Sequence, residues 1–160
     1  MATKIAFFDI DGTLTSELDG SIPKDAATAI AKARKNGNLM FINTGRCFQN
    51  VGRRFREIGW DGYVCGCGTN IYCDGSDVLH VAQTHSTIMQ LLHVARQTDV
   101  DILFESRTLV AFDLSRPLHH PDAIRQYNSF ALVKSCTHLY FRKRAITQGI
   151  FPTSSKQVQA

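Results

Sequence analysis

All 14 acidic residues of this 160-residue chain lie at or before Asp122, and none follows it. No apolar run approaches the ~18 residues that a membrane span needs, so no membrane segment is expected. The start, Met1-Ala2-Thr3-Lys4, leads directly into a strand-like run without a cleavable apolar region, which argues against a signal peptide. Internal repeats and low-complexity stretches are absent too. Cysteine is sparse and odd in number, five residues set among small apolar neighbours. That excludes a disulfide framework and points to a reducing, cytoplasmic setting. With 44% hydrophobic and 20% charged residues, the composition is that of a globular protein rather than a disordered one. The length suits one domain of ordinary size, which buries roughly 70% of the unfolded chain's surface.

The net charge of +4 conceals an asymmetry. Residues 123–160 carry Arg125, Lys134, Arg142, Lys143, Arg144 and Lys156, a charge of +6, whereas residues 1–122 carry −2. A basic tail can attract nucleic acid or an anionic surface. Here six charges are spread over 38 residues and only Arg142-Lys143-Arg144 cluster, so no nucleic-acid partner is expected.

Ile5-Ala6-Phe7-Phe8 is a short apolar run that suits a strand buried on both faces. Pro23 opens a helix with Ala26, Ile30 and Ala33 on one face, Lys32, Arg34 and Lys35 near its end, and Gly37 as the stop. Leu39-Met40-Phe41-Ile42 is a second strand, Val51, Phe55 and Ile58 mark a second helix closed by Gly59, and Tyr63-Val64-Cys65 is a third strand. Strand, helix, strand, helix, strand winds into a parallel sheet. Asn70–Cys73 and Asp77–His80 then read as a hairpin turning at Asp74-Gly75. Ile88, Leu91, Leu92 and Ala95 predict a helix, and Ile102–Glu105 and Leu109–Phe112 two strands around Ser106-Arg107. Pro117 and Pro121 interrupt the next stretch, and beyond Tyr127 the periodicity is poor, so a mobile tail is expected there. The expected organisation is an α/β core over 1–79, an α+β unit over 80–127 and a poorly defined basic tail over 128–160.

The chemistry gathers at the first two strand ends. Asp9-Ile10-Asp11-Gly12-Thr13 stands where the first strand stops, and open parallel sheets bind ligands beyond the carboxyl ends of their strands. Two carboxylates two residues apart repel unless they share a cation or a proton, and Mg²⁺ with phosphate oxygens is a natural guest. Gly12 permits a tight backbone, and the amides of residues 10–13 can hold an anion. Thr44-Gly45 at the end of the second strand adds a hydroxyl and an unencumbered amide for phosphate. A receiver domain gathers acids elsewhere, before its phosphoacceptor strand, and the Asp-x-Asp of nucleotide-sugar transferases lies mid-chain. Cys65, Cys67 and Cys73 lack the paired spacing of a structural zinc site and read as apolar thiols. His119, His120 and His138 read as surface residues, and Phe48 and Trp60 as core or interface.

Phe7-Phe8-Asp9-Ile10-Asp11-Gly12-Thr13-Leu14 resembles the first motif of the haloacid dehalogenase superfamily of phosphohydrolases. Phe41-Ile42-Asn43-Thr44-Gly45-Arg46 resembles the second motif in the version of the Cof-like sugar-phosphatase branch, as do Ser21-Ile22-Pro23 and Gly66-Cys67-Gly68-Thr69-Asn70-Ile71-Tyr72. The resemblance covers about residues 4–112. It implies a Rossmann-like parallel-sheet core with an inserted α+β cap, and a Mg²⁺-dependent phosphatase acting on small phosphomonoesters such as sugar phosphates. By that resemblance Asp9 is the nucleophile that becomes an aspartyl-phosphate and Asp11 the general acid and base. Mg²⁺ is held by the Asp9 carboxylate and the Asp11 backbone carbonyl, and Gly12, Thr13, Thr44 and Gly45 hold the phosphoryl group. Arg46 either contacts substrate or pairs with an acid. The family also uses a lysine and an acidic pair from later motifs. Since no acid follows Asp122, the chain reads as an incomplete core ending within the cap, unless Asp19, Asp61 or Asp74 completes the metal site. A non-catalytic, truncated or frame-shifted remnant is therefore the alternative expectation.

Overall fold

A computed structural model describes residues 2–16, 19–107, 110–131 and 151–152. The chain divides after His80 into two compact units.

The first unit is a five-stranded sheet in the order β1-β2-β3-β4-β5, formed by Ile5–Phe8, Leu39–Asn43, Gly62–Cys65, Asn70–Cys73 and Ser76–His80. β1, β2 and β3 are parallel, with Phe8 opposite Ile42 and Ile42 opposite Tyr63. β4 and β5 add antiparallel. Their turn, Asp74-Gly75, has φ of 48° and 76°. Positive φ at both central residues is what a two-residue hairpin of type I′ requires.

Helix α1 spans Lys24–Lys35, directly after Pro23. It stops where the Gly37 amide donates to the Arg34 carbonyl at 2.8 Å with φ of 82° at Gly37. The second helix is shorter than the apolar spacing predicts. Phe48–Asn50 form one 3₁₀ turn, and α2 covers only Arg53–Arg56 after Gly52. Its last bonds tighten to three residues, Ile58 to Phe55 and Gly59 to Arg56. The buried Trp60 indole donates to the Phe55 carbonyl at 2.7 Å, which takes up a carbonyl at the helix end.

Ile30 of α1, Val51, Phe55 and Trp60 pack with Met40, Ile42 and Cys65 on one face of the sheet. Ala6 and Phe8 join that face, whereas Ile5 and Phe7 are 56% and 58% exposed on the other. The strand expected to be buried on both faces is thus buried on one. The reason is positional: both helices of this unit contribute their buried residues to the opposite face.

The second unit holds α3 (His85–Gln97), β6 (Leu103–Glu105), β7 (Val110–Phe112), α4 (Pro121–Ala131) and β8 (Phe151–Pro152). The Thr84 hydroxyl accepts the Thr87 amide and caps α3, whose Ile88, Leu92 and Ala95 pack with Ile102, Phe104 and Ala111. The strands run antiparallel in the order β7-β6-β8. Pro121, expected to interrupt, opens α4 instead. A helix tolerates proline at its first position because that residue's amide has no intrahelical partner. The expectation of a mobile tail falls largely on residues 132–150 and 153–160, which lie outside the described residues, as do Lys134, His138, Arg142-Lys143-Arg144 and Lys156.

Candidate active site

The loop after β1 alternates between anchor and display. Ile10 and Leu14 are 0% and 4% exposed in the core, whereas Asp9, Asp11, Gly12 and Thr13 are exposed. Asp11 (φ −80°, ψ 116°) and Gly12 (φ 77°, ψ 7°) are the central pair of a type II turn, whose second position needs positive φ and so favours glycine. The turn is closed behind by the Thr15 amide and hydroxyl, both donating to the Ile10 carbonyl at 3.2 and 3.0 Å. A backbone pinned at both ends thereby presents two carboxylates, a glycine amide and a threonine at one strand end.

Asp9 has no hydrogen-bond or ion-pair partner among the described residues. Asp11 has one, because the Arg46 guanidinium grips it through Nε at 2.8 Å and a terminal nitrogen at 2.5 Å. Of the two alternatives for Arg46, the structure places it on an acid, and that acid belongs to the candidate site. The same guanidinium reaches the Asn50 carbonyl at 3.4 Å and lies 5.6 Å from the centre of the Phe55 ring.

Thr44 is buried at the end of β2, where its amide continues the sheet by donating to Val64 at 2.9 Å. Its hydroxyl oxygen accepts the Arg46 amide at 3.2 Å, which leaves its hydrogen free to donate. The loop after β3 docks on this segment, with Cys67 donating to the Thr44 carbonyl at 3.3 Å and Gly66 to the Arg46 carbonyl at 2.8 Å. Cys67 is exposed in the left-handed region (φ 54°), and its sulfur would lie 3.4 Å from a Cβ placed on Gly45. That neighbourhood was not legible in the spacing of the cysteines. Cys65 and Cys73 stand at opposite ends of the β3–β4 pair, and burial pushes the Cys65 thiol up to about 12. No group of three metal-ligating side chains occurs among the described residues.

The other acids named for the metal site are not brought to it. Asp61 precedes β3 and Asp74 follows β4, both at the opposite end of the sheet from Asp9. Asp61 is taken by Arg34 at 2.8 and 3.1 Å, and that contact holds its carboxyl below the usual range. Asp19 accepts the Ser21 amide at 3.0 Å, the main reason its carboxyl is also lowered.

Residues 6–157 match the haloacid dehalogenase-like hydrolase family. The chain belongs to that family. Among curated relatives of this hydrolase family, the candidate phosphatase YkrA of Bacillus subtilis (strain 168) is 26% identical over 104 residues, 65% of this chain and 40% of YkrA. The HAD subclass IIB sugar phosphatase BT4131 superposes with a TM-score of 0.70 at 22% identity, over 92% of this chain and 56% of that one. The HAD phosphatase BT1666 of Bacteroides thetaiotaomicron gives 0.69 at 20% identity, over 92% and 53%. TM0651 of Thermotoga maritima gives 0.69 at 12% identity, over 93% and 54%. These likenesses establish the Rossmann-like fold with an incomplete core. The chain spans about half the length of these structures. No helix among the described residues is long and apolar enough to cross a membrane.

Proposed function

We propose that this chain carries the phosphoryl-transfer site of a phosphatase acting on small phosphomonoesters such as sugar phosphates, with residues 1–79 as core and 80–127 as a partial cap. The observation that carries the reading is the division of labour between the two acids. Asp9 is exposed at the strand end and has no partner among the described residues, which suits a nucleophile, while its neighbour Asp11 is held by Arg46. In the first step Asp11, released from Arg46 and protonated, faces the leaving oxygen. An Asp9 carboxylate oxygen attacks phosphorus, and the bond to the alcohol breaks as Asp11 gives that proton to the leaving oxygen. In the second, Asp11 takes a proton from water, which attacks the aspartyl-phosphate and releases inorganic phosphate. The Thr44 hydroxyl hydrogen and the Gly45 amide suit the equatorial phosphoryl oxygens, and the Gly12 and Thr13 amides add donors.

Mg²⁺ takes one or two carboxylates together with substrate oxygens and water, and the free Asp9 carboxylate with the Asp11 carbonyl fits the smaller of these sets. Bound there, it would neutralise charge on the phosphoryl oxygens. The proposed partner is a small phosphorylated metabolite. A cytoplasmic setting, read from the sparse and odd number of cysteines in the sequence, belongs to the same proposal.

The test is Asp9→Asn, which is nearly isosteric and leaves the anchors Ile10 and Leu14 in place. Turnover of an aryl phosphate is expected to fall at least about a thousandfold, as loss of a covalent nucleophile usually gives. Activity within tenfold of wild type removes Asp9 from the role. A single free carboxylate at the site favours the second reading, a chain that binds phosphate without hydrolysing it. That reading predicts saturable phosphate binding with no alcohol released.

A further inference from the structure

Between Gly45 and Gly59 the chain carries four arginines and a single acid, Glu57. Their commitments differ. Arg46 is bound to Asp11, and Arg53 is paired with Glu57 at 2.6 Å. Arg56 lies over Phe48, on a different ring from the others, with its guanidinium carbon 5.8 Å from the centre. Arg54 lies 4.7 Å from the centre of the Phe55 ring, the same ring that Arg46 approaches at 5.6 Å. The guanidinium carbons of Arg46 and Arg54 are therefore within roughly 10 Å of each other. Arg54 is exposed and has no carboxylate partner among the described residues.

The chemistry of the pair is set by the ring beneath it. Phe55 is 1% exposed, so the ring is a fixed platform, and stacking restrains an otherwise flexible side chain. A stacked guanidinium keeps its N–H edge available, and that planar fork matches phosphate or carboxylate. Arg46 binds the acid that, on the phosphatase reading, protonates the leaving oxygen. On that reading the leaving alcohol meets Asp11, and Arg54 is a second guanidinium on the ring that the Asp11-bound Arg46 also approaches.

We infer that Arg54 is a specificity-determining residue that binds a second anionic group on the leaving alcohol, so that the substrate is a doubly anionic metabolite such as a sugar bisphosphate or a phosphorylated sugar acid. The inference rests on the phosphatase reading for which end of the substrate is which.

The experiment measures dissociation constants by calorimetry at low salt, on the full chain, for glucose 6-phosphate, glucose 1,6-bisphosphate and 6-phosphogluconate. Wild type is expected to bind at least one of the doubly anionic sugars about tenfold or more tighter than the monophosphate, as one added charge-assisted contact gives. Arg54→Met keeps an apolar stem on Phe55 and is expected to remove most of that preference. Arg56→Met, which removes the same charge from the same helix, is expected to retain it. Preference for both sugars supports a general anion subsite, and preference for the bisphosphate alone supports one for phosphate. Equal binding of all three sugars, or equal losses in the two variants, overturns the inference. Turnover is followed separately. Hydrolysis without preference overturns the role of Arg54 alone, and an Arg54-dependent preference without hydrolysis overturns the phosphatase reading while the subsite stands.

Discussion

Replacing Asp61 by Asn should destabilise the first unit by about 2 kcal/mol at neutral pH, and the effect should fade in acid. The carboxylate accepts three bonds: from Arg34 Nε at 3.1 Å, from an Arg34 terminal nitrogen at 2.8 Å and from the Met40 amide at 2.8 Å. It thereby joins the last turn of α1 to β2 at the entry of β3. A hydrogen bond to a charged group is worth about 1.5–3 kcal/mol, but the Asp61 and Arg34 side chains are 21% and 35% exposed, so water screens much of the ion pair. Asn keeps one acceptor oxygen and turns an amide N–H₂ toward donors, and with that screening the loss falls near the lower end of the range for one such bond. Arg34 pulls the folded-state carboxyl below its ordinary value. Its ionisation therefore contributes stability that is complete above the unfolded value, about 3.9, and is lost as pH falls through the lower folded value. Urea melts followed by the fluorescence of Trp60, the chain's single tryptophan and part of this core, read the difference directly. It should stay constant from pH 7 to about 5 and shrink below about 4. A loss under about 0.5 kcal/mol at pH 7, the size of an ordinary surface change, would refute the reasoning. So would a loss that persists unchanged into acid.

Two glycines separate conformation from packing. Gly12→Ala should cost about 1–2 kcal/mol in the same melts, because φ is 77° and an L side chain resists that region although no atom lies within 4 Å of the added Cβ. A neutral result there would mean that the turn relaxes without glycine. Gly62→Ala should cost at least about 2 kcal/mol by overpacking, since its Cβ would meet the Tyr72 carbonyl oxygen at 2.6 Å and the Phe41 ring closer still. A variant as stable as wild type would show that β2, β3 and β4 separate more easily than their register implies.

β1 and β2 were legible because each is an apolar run closed by a polar residue, Asp9 after β1 and Asn43 within the end of β2, and β3 as a short apolar run alone. The hairpin was legible because Asp74-Gly75 is built for two positive φ angles. Strand periodicity could not show which faces are covered: four apolar residues in a row look doubly buried whether or not both faces are. Pro121 carries the same ambiguity, since proline breaks a helix from inside and starts one from its edge. The match of Arg46 to Asp11 was beyond reach for another reason. The two residues are 35 positions apart, and only the parallel register of β1 and β2 brings their ends together. The placing of Arg34 on Asp61 depends on register in the same way.

The octapeptide from Phe7 to Leu14 shows why a site can be readable where its surroundings are not. Phe8, Ile10 and Leu14 point into the core and fix the backbone, so their chemistry is only to be apolar and of the right size. Asp9, Asp11, Gly12 and Thr13 face out, where burial constrains nothing. Asp11 is offset by Arg46, but Asp9 has no such partner among the described residues, and on the proposed reading its uncompensated charge at the strand end is the sign of a ligand. The second strand repeats the arrangement, with Ile42 inside and Thr44 buried but still holding a hydroxyl hydrogen free for the site. The fold uses the inward residues of both segments and the positive φ of Gly12. The exposed Asp9 carboxylate and the Thr44 hydroxyl hydrogen have no such use, and on the proposed reading they serve phosphate chemistry.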